Sequence, residues 1–255
     1  MAGDPMNKEV PDGLRYRFLG VAVAGFVGLS ISNSLATTSW GVSIGVWGLI
    51  IGYTGFRLEQ NRPSEAVPVR QQIGVANGIT LFRGWLLAFF VGLVVSTPTS
   101  TRVLGSLFVL AVSLDALDGE IARRTTETVL GTRLDTATDA LAVLVGAGAA
   151  VWLDVVPGWY LLAGVLWYLY AAGLHLRQRA GKPVCELPES RVRPLVGSAQ
   201  FAVIALALSI GTATLWLSAL AGVALIGLAA SFSRDWTAAT GQQTAAMTSI
   251  DTAND

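Results

Sequence analysis

Long apolar runs separated by polar breaks dominate the chain. Eight stand out: Phe18–Asn33, Gly41–Phe56, Ile79–Ser96, Val103–Ala122, Leu134–Leu153, Gly158–Leu176, Leu195–Gly211 and Thr214–Phe232. A helix needs about 20 mostly apolar residues to cross the hydrocarbon core of a bilayer, and each run approaches that length. The breaks alternate. Ser34–Trp40, Thr97–Arg102, Asp154–Pro157 and Thr212–Ala213 are short, whereas the breaks between them are longer and polar. The pattern predicts an all-α integral membrane protein with eight spans. The first run follows Lys8, Arg15 and Arg17 and so imitates a signal peptide. A second run follows at once and no small-residue cleavage site is evident, so it reads as a retained span.

Charge orients the layout. Cytoplasmic loops carry the excess of Lys and Arg. With eight spans and the N-terminus inside, every basic residue except Arg102 falls on the inner side, Arg83 just within the third span. Both termini are then expected on the cytoplasmic side, and any chemistry at the longer inner loops. Composition narrows the class further. The 255 residues are 53% hydrophobic and only 13% charged, with no formal net charge. That excludes a disordered chain, an ordinary soluble domain and a basic nucleic-acid binder. One Cys (Cys185) and one His (His175) leave no basis for a disulfide framework or a Cys- or His-rich metal site.

Four carboxylates change the picture. An acidic side chain inside a membrane costs about 2.5–3.5 kcal/mol at the centre and less near an interface. Asp115 and Asp118 nevertheless end the fourth span, and Asp135 and Asp139 begin the fifth. Their spacings, i, i+3 and i, i+4, put each pair on one helix face. The two helices form a hairpin, so the faces can meet. Four gathered carboxylates repel and must take up protons or a divalent cation. All-oxygen ligation suits Mg²⁺ or Mn²⁺, and with a membrane setting it suggests phosphoryl or pyrophosphoryl chemistry on a lipid. Gly119 and Ala122 share the first acidic face, Gly131 extends the second, and Arg123 lies one turn beyond Gly119, where its planar fork could pair with a phosphate. A single Asp at a span end is commonly an interfacial residue or a partner for Arg123, Arg124 or Arg133. Four on two facing stripes are harder to explain that way.

The segment Asp115-Ala-Leu-Asp118-Gly119-Glu-Ile-Ala122-Arg123, followed by Gly131-Thr-Arg-Leu-Asp135-Thr-Ala-Thr-Asp139, resembles the signature of the CDP-alcohol phosphatidyltransferases: D-x-x-D-G-x-x-A-R, a spacer, then G-x-x-x-D-x-x-x-D. All eight defining positions match. The spacer Arg124–Leu130 holds seven residues where the family usually has eight, which shortens the loop and bears on the placement of Arg123. Asn77, Thr80 and Arg83 are similar to the N-x-x-T-x-x-R opening of the family's first core helix, although Asn77 and Thr80 could merely cap the third span. The resemblance implies a six-helix catalytic core at residues 72–236. The apolar runs and basic residues place a cytoplasmic tail (1–15) and two additional transmembrane helices (16–56) before it, and the tail after it (237–255), rich in Thr, Ala, Gln and Asp, reads as disordered.

The resemblance also implies roles. Asp115, Asp118 and Asp135 would bind metal, two ions of Mg²⁺ or Mn²⁺. Asp139 would be the general base and also touch a metal. Gly119, Ala122, Arg123 and Gly131, with Asn77 and Thr80, would line the site for a CDP-linked lipid donor. An acceptor alcohol would attack and CMP would leave, in phospholipid biosynthesis, within a homodimer surrounded by membrane lipids. The basic loop after the sixth span adds Lys182, Arg191 and Arg193, candidates for the phosphate of an acceptor such as glycerol phosphate or inositol phosphate. Ordinary positive-inside charge explains them equally well. No nucleic-acid partner is expected. His175 reads as a packing or interfacial residue, and Trp40, Trp152, Trp159 and Trp236 as an aromatic belt. Two rivals remain: a membrane prenyltransferase, whose paired Asp motifs usually lie much farther apart in the chain, and a divalent-cation transporter, which would place its acidic groups near mid-membrane.

Overall fold

The structure, a computed structural model, describes residues 9–36, 39–64, 66–96, 100–124, 128–185, 187, 190 and 192–241, the side chains of 116–124 excepted. These residues form eight α-helices and two short 3₁₀ turns, with no strand among them. In chain order the helices are α1 (Asp12–Ala36), α2 (Trp40–Phe56), α3 (Val75–Val94), α4 (Thr101–Arg124), α5 (Val129–Trp152), α6 (Leu161–Arg179), α7 (Val192–Ile210) and α8 (Leu215–Ala239). Each predicted run falls mainly on one of them, four overhanging a helix end by one or two residues and the sixth starting on the 3₁₀ turn Gly158–Tyr160. Most helices continue past the apolar run into polar residues, because backbone pairing does not stop where hydrophobicity does.

Six helices are long and apolar enough to cross a membrane: α1, α3, α5, α6 with the turn before it, α7 and α8. The other two differ for separate reasons. α2 has 17 residues, about 26 Å at 1.5 Å per residue, short of a core about 30 Å thick. α4 carries Arg102 at one end and Asp115, Asp118, Glu120, Arg123 and Arg124 at the other, so its apolar run is shorter than the helix. The protein is read as a multi-pass membrane protein. On α1, Leu19, Val23, Val27, Ile31 and Leu35 form an exposed stripe at every fourth residue, a face suited to lipid rather than water.

The chain divides into two compact units, residues 1–142 and 143–255, with α5 beginning in the first and ending in the second. In the first unit α3 is the most enclosed helix, packed against α1, α2 and α4. Leu29, Trp47, Ile50, Leu81, Ala88 and Leu134 make its apolar core. Lipid is as apolar as a side chain, so helix contact in a membrane relies on close fit and hydrogen bonds. Gly25 supplies both. A Cβ there would overlap the Trp47 ring, and its carbonyl accepts a bond from Trp85 Nε1 at 3.0 Å, while Trp47 Nε1 donates to the Ala22 carbonyl at 3.2 Å.

In the second unit α8 packs against both α6 and α7. A buried polar chain threads it: the Tyr160 hydroxyl donates to Gln200 Oε1 at 3.0 Å, and Gln200 Nε2 donates to the Ala224 carbonyl at 2.8 Å. At the other end of α8, Arg177 Nη2 donates to the Thr240 carbonyl at 3.2 Å and the Cys185 amide to the Ala239 carbonyl at 2.8 Å.

Candidate active site

α3 brings three polar side chains into the first unit at successive turns: Asn77, Thr80 and Arg83, all buried. Burying an arginine in an apolar helix demands partners, and Arg83 has them on two other helices. Its Nη1 donates to Asp115 Oδ1 at 2.6 Å and to Asp135 Oδ1 at 3.1 Å, and its Nη2 donates to Asp139 Oδ1 at 2.5 Å. The guanidinium is only 1% exposed, whereas the three carboxylates are 31%, 45% and 37% exposed. The cation thus lies behind the carboxylates, which present an open side.

The carboxylates of α4 and α5 therefore share one place. One oxygen from each of Asp115, Asp135 and Asp139 lies within 4.8 Å of the other two. At that distance two unit charges repel by about 3.5 kcal/mol at an effective dielectric of about 20. One Arg cannot balance three carboxylates, so these four residues carry a formal charge of about −2. The donor set fits a hard divalent cation. All ligand atoms are oxygens, and ligands held 2.0–2.6 Å from one ion lie within roughly 4–5 Å of each other. Asp118, Gly119, Ala122 and Arg123 of the signature have side chains outside the described residues.

Gly131 has a local reason to be glycine. Thr128 caps α5, its Oγ1 accepting from the Gly131 amide at 3.0 Å. Asn77 lies across from it, its Nδ2 donating to Thr128 Oγ1 at 3.3 Å. A Cβ on residue 131 would sit 2.5 Å from Asn77 Oδ1 and 3.2 Å from Thr128 Oγ1. Asn77 is thus a link between α3 and the start of α5, while Thr80 Oγ1 donates to the Ala76 carbonyl one turn back at 3.1 Å.

The candidate acceptor-binding residues lie in the second unit. Arg193 makes a two-pronged ion pair with Asp235, Nε to Oδ2 at 2.8 Å and Nη2 to Oδ1 at 3.1 Å. Arg234 stands 3.6 Å from the same carboxylate and donates to Ser190 Oγ at 2.6 Å. Lys182 is exposed, and Arg191 lies outside the described residues. Any phosphate at Arg193 would have to share its guanidinium with Asp235. His175 and Cys185 are exposed.

The sequence reading gave Arg83 no central part. It placed the residue at an inner interface and in the N-x-x-T-x-x-R opening. Its position inside an apolar span was the available signal, because a charge there implies a buried counter-charge. Asn61, fully buried in the loop before α3, carried no such signal in a polar stretch.

The described residues thus define a class: an all-helical membrane protein whose carboxylates, from two helices, gather around one buried arginine and could hold a metal ion. Residues 73–224, more than half of the chain, match the family described as CDP-alcohol phosphatidyltransferase, and the chain belongs to that family. The match starts just before α3 and ends within α8, so α1, α2 and most of the following loop lie outside it. No individual curated protein matches the chain.

Proposed function

We propose that the protein transfers a phosphatidyl-type group from a CDP-alcohol lipid to an acceptor alcohol and releases CMP. The observation that carries this reading is the convergence of Asp115, Asp135 and Asp139 on Arg83, in a chain of this family. Asp115, Asp118, Asp135 and Asp139 would hold Mg²⁺ or Mn²⁺, two ions by resemblance. Bound there, the metal would neutralise pyrophosphate charge and the charge developing on departing CMP.

The chain's own groups do the rest. Asp139 takes the proton of the acceptor hydroxyl as that oxygen forms a bond to the lipid-bearing phosphorus and the bond to CMP breaks. General-base help of this kind contributes about 10²–10⁴-fold. Arg83 holds one Asp139 oxygen and so fixes the base against α3. Asn77, Thr80, Gly119, Ala122, Arg123 and Gly131 would line the donor site. Lys182, Arg191 and Arg193 would meet an acceptor phosphate such as that of glycerol phosphate or inositol phosphate. The lipid tails remain in the bilayer, which avoids exposing them to water at about 0.8 kcal/mol per CH₂. By the distribution of basic residues we read eight spans with both termini and the active site on the cytoplasmic side, α4 crossing by its apolar part. The resemblance supports a homodimer.

The test is an acceptor screen with CMP detection. Purified protein in nanodiscs receives CDP-diacylglycerol, Mg²⁺ and, in turn, glycerol phosphate, inositol phosphate, serine and an alcohol without phosphate. CMP with one acceptor and not the others supports the reading. No CMP with any acceptor, together with Mg²⁺ flux in vesicles, rejects it in favour of transport.

A further inference from the structure

The loop between α2 and α3 lies almost wholly outside the matched family region, yet it is tied to the helix that carries Gly131, Asp135 and Asp139. We propose that residues 57–64 and 66–72 form a positioning element that sets the first turn of α5, with Asn61 as its hub. The inference rests on the function proposed above for its catalytic consequence, but not for its structural one.

Connecting segments usually run over the surface with their polar groups in water. This one keeps Glu59, Ser64 and Gln71 exposed but turns two polar residues inward. Asn61 is fully buried and Arg62 nearly so, and a buried polar side chain is costly unless its bonds are met. Those of Asn61 are met on both sides. Its Nδ2 donates to the Gln72 carbonyl at 2.9 Å and the Arg70 carbonyl at 3.4 Å, and its own carbonyl accepts from the Arg70 amide at 2.9 Å. These bonds hold Asn61 against Arg70 and Gln72. Its Oδ1 accepts from Asn77 Nδ2 at 3.4 Å, and the same Nδ2 reaches Thr128, the cap of α5.

A second, separate tie follows. The first amides of a helix have no partner within it, and the Val129 amide donates to the Arg62 carbonyl at 2.9 Å. Arg133 Nη1, one turn on, donates to Gln60 Oε1 at 3.0 Å. Beneath them Leu58 and Val69 pack with Leu14 and Leu130 in one apolar cluster. The loop thus reaches the cap of α5 through Asn77 and holds the helix directly by the Val129 amide, the Arg133 side chain and Leu130. Asp135 is one turn past Gly131, so a shift of the first turn moves the acidic trio. Misplacement of about 1 Å can cost about 10²-fold in rate.

The experiment compares wild type with Asn61→Ala and Gln60→Ala in nanodiscs. The second removes the Arg133 contact together with a longer one from Arg57 at 3.4 Å within the loop itself, and stands in if the first does not accumulate. Hydrogen exchange at residues 129–132 is read by mass spectrometry. Kinetics of CMP release use CDP-diacylglycerol and the acceptor that works for wild type. Expected is exchange at 129–132 at least about tenfold faster in Asn61→Ala and a few-fold faster in Gln60→Ala, with residues 192–241 unchanged. CMP release per folded protein should fall about ten- to hundredfold in Asn61→Ala, with a raised donor KM. A merely structural role would lower yield and Tm but leave kcat and KM of the folded fraction alone, and that result overturns the proposal. Unchanged exchange at 129–132 overturns it as well. If wild type itself releases no CMP, the functional reading fails, and the exchange arm alone decides whether the loop sets α5.

Discussion

Arg83 and Arg193 are both paired with aspartate, one in each unit, and the two arrangements balance charge in opposite directions. In the first unit one buried guanidinium faces Asp115, Asp135 and Asp139. In the second, Arg193 and Arg234 face the single carboxylate of Asp235, which is only 3% exposed. The first cluster is short of positive charge, and its carboxylates keep an open side. The second has positive charge to spare, and its carboxylate is enclosed. The first therefore suits a divalent cation, whereas the second is a closed clamp whose arginines can at most share an anion with Asp235. The same pairing of arginine with aspartate thus yields an open acidic cluster in one place and an enclosed carboxylate in the other. Stoichiometry and exposure decide which.

The largest effect is expected at the acidic trio. Asp139→Asn keeps the shape and removes the base, and should lower kcat for CMP release by about 10²–10⁴-fold. A thermal melt near wild type would show that the loss is chemical. If Asp139→Asn retained more than a tenth of the rate, Asp139 would not be the base.

Next comes Arg83→Met. Breaking a buried pair by removing one partner costs about 3–5 kcal/mol, and solvent around the half-exposed carboxylates reduces that to roughly 2–3 kcal/mol. The Tm should fall, and it should fall less when Mg²⁺ is present, because the ion supplies charge that Arg83 no longer does. An equal fall with and without Mg²⁺ would mean that the carboxylates do not bind the ion.

Gly131→Ala should cost about 1–3 kcal/mol through forced displacement of Asn77 and raise the donor KM. A neutral result would mean that the cap region yields without strain. The smallest effect belongs to the clamp. Arg193→Ala should cost about 1–2 kcal/mol, since the guanidinium is partly exposed, and leave the donor KM unchanged. A rise in acceptor KM would add phosphate binding to its role, and an unchanged acceptor KM would leave it a brace.

Much of this was legible in the sequence. The apolar runs foretold every helix because a membrane span needs an unbroken apolar length that few other structures require. The gathering of Asp115 with Asp135 and Asp139 followed from their spacing and the short hairpin. What escaped were interactions between distant residues. Arg83 could be read as one more inner-side charge, since nothing local shows that its partners lie 32 to 56 residues on. Asn61 looked like any loop asparagine, because burial is a property of the fold and not of the stretch around it. Gly131 was singled out through the signature, but its close neighbour Asn77 emerges only when α3 and α5 stand side by side. The length of α2 and the charged ends of α4 show the opposite limit, since an apolar run marks a helix without fixing whether it spans.

One reaction tests the acidic centre most directly. Metal-stripped protein in nanodiscs, given CDP-diacylglycerol and the full set of acceptors, should release CMP only after Mg²⁺ or Mn²⁺ is added, in proportion to acceptor consumed, and should stop on chelation. Folded protein that releases no CMP at any metal concentration, or releases it equally after chelation, would contradict the assignment of the acidic centre.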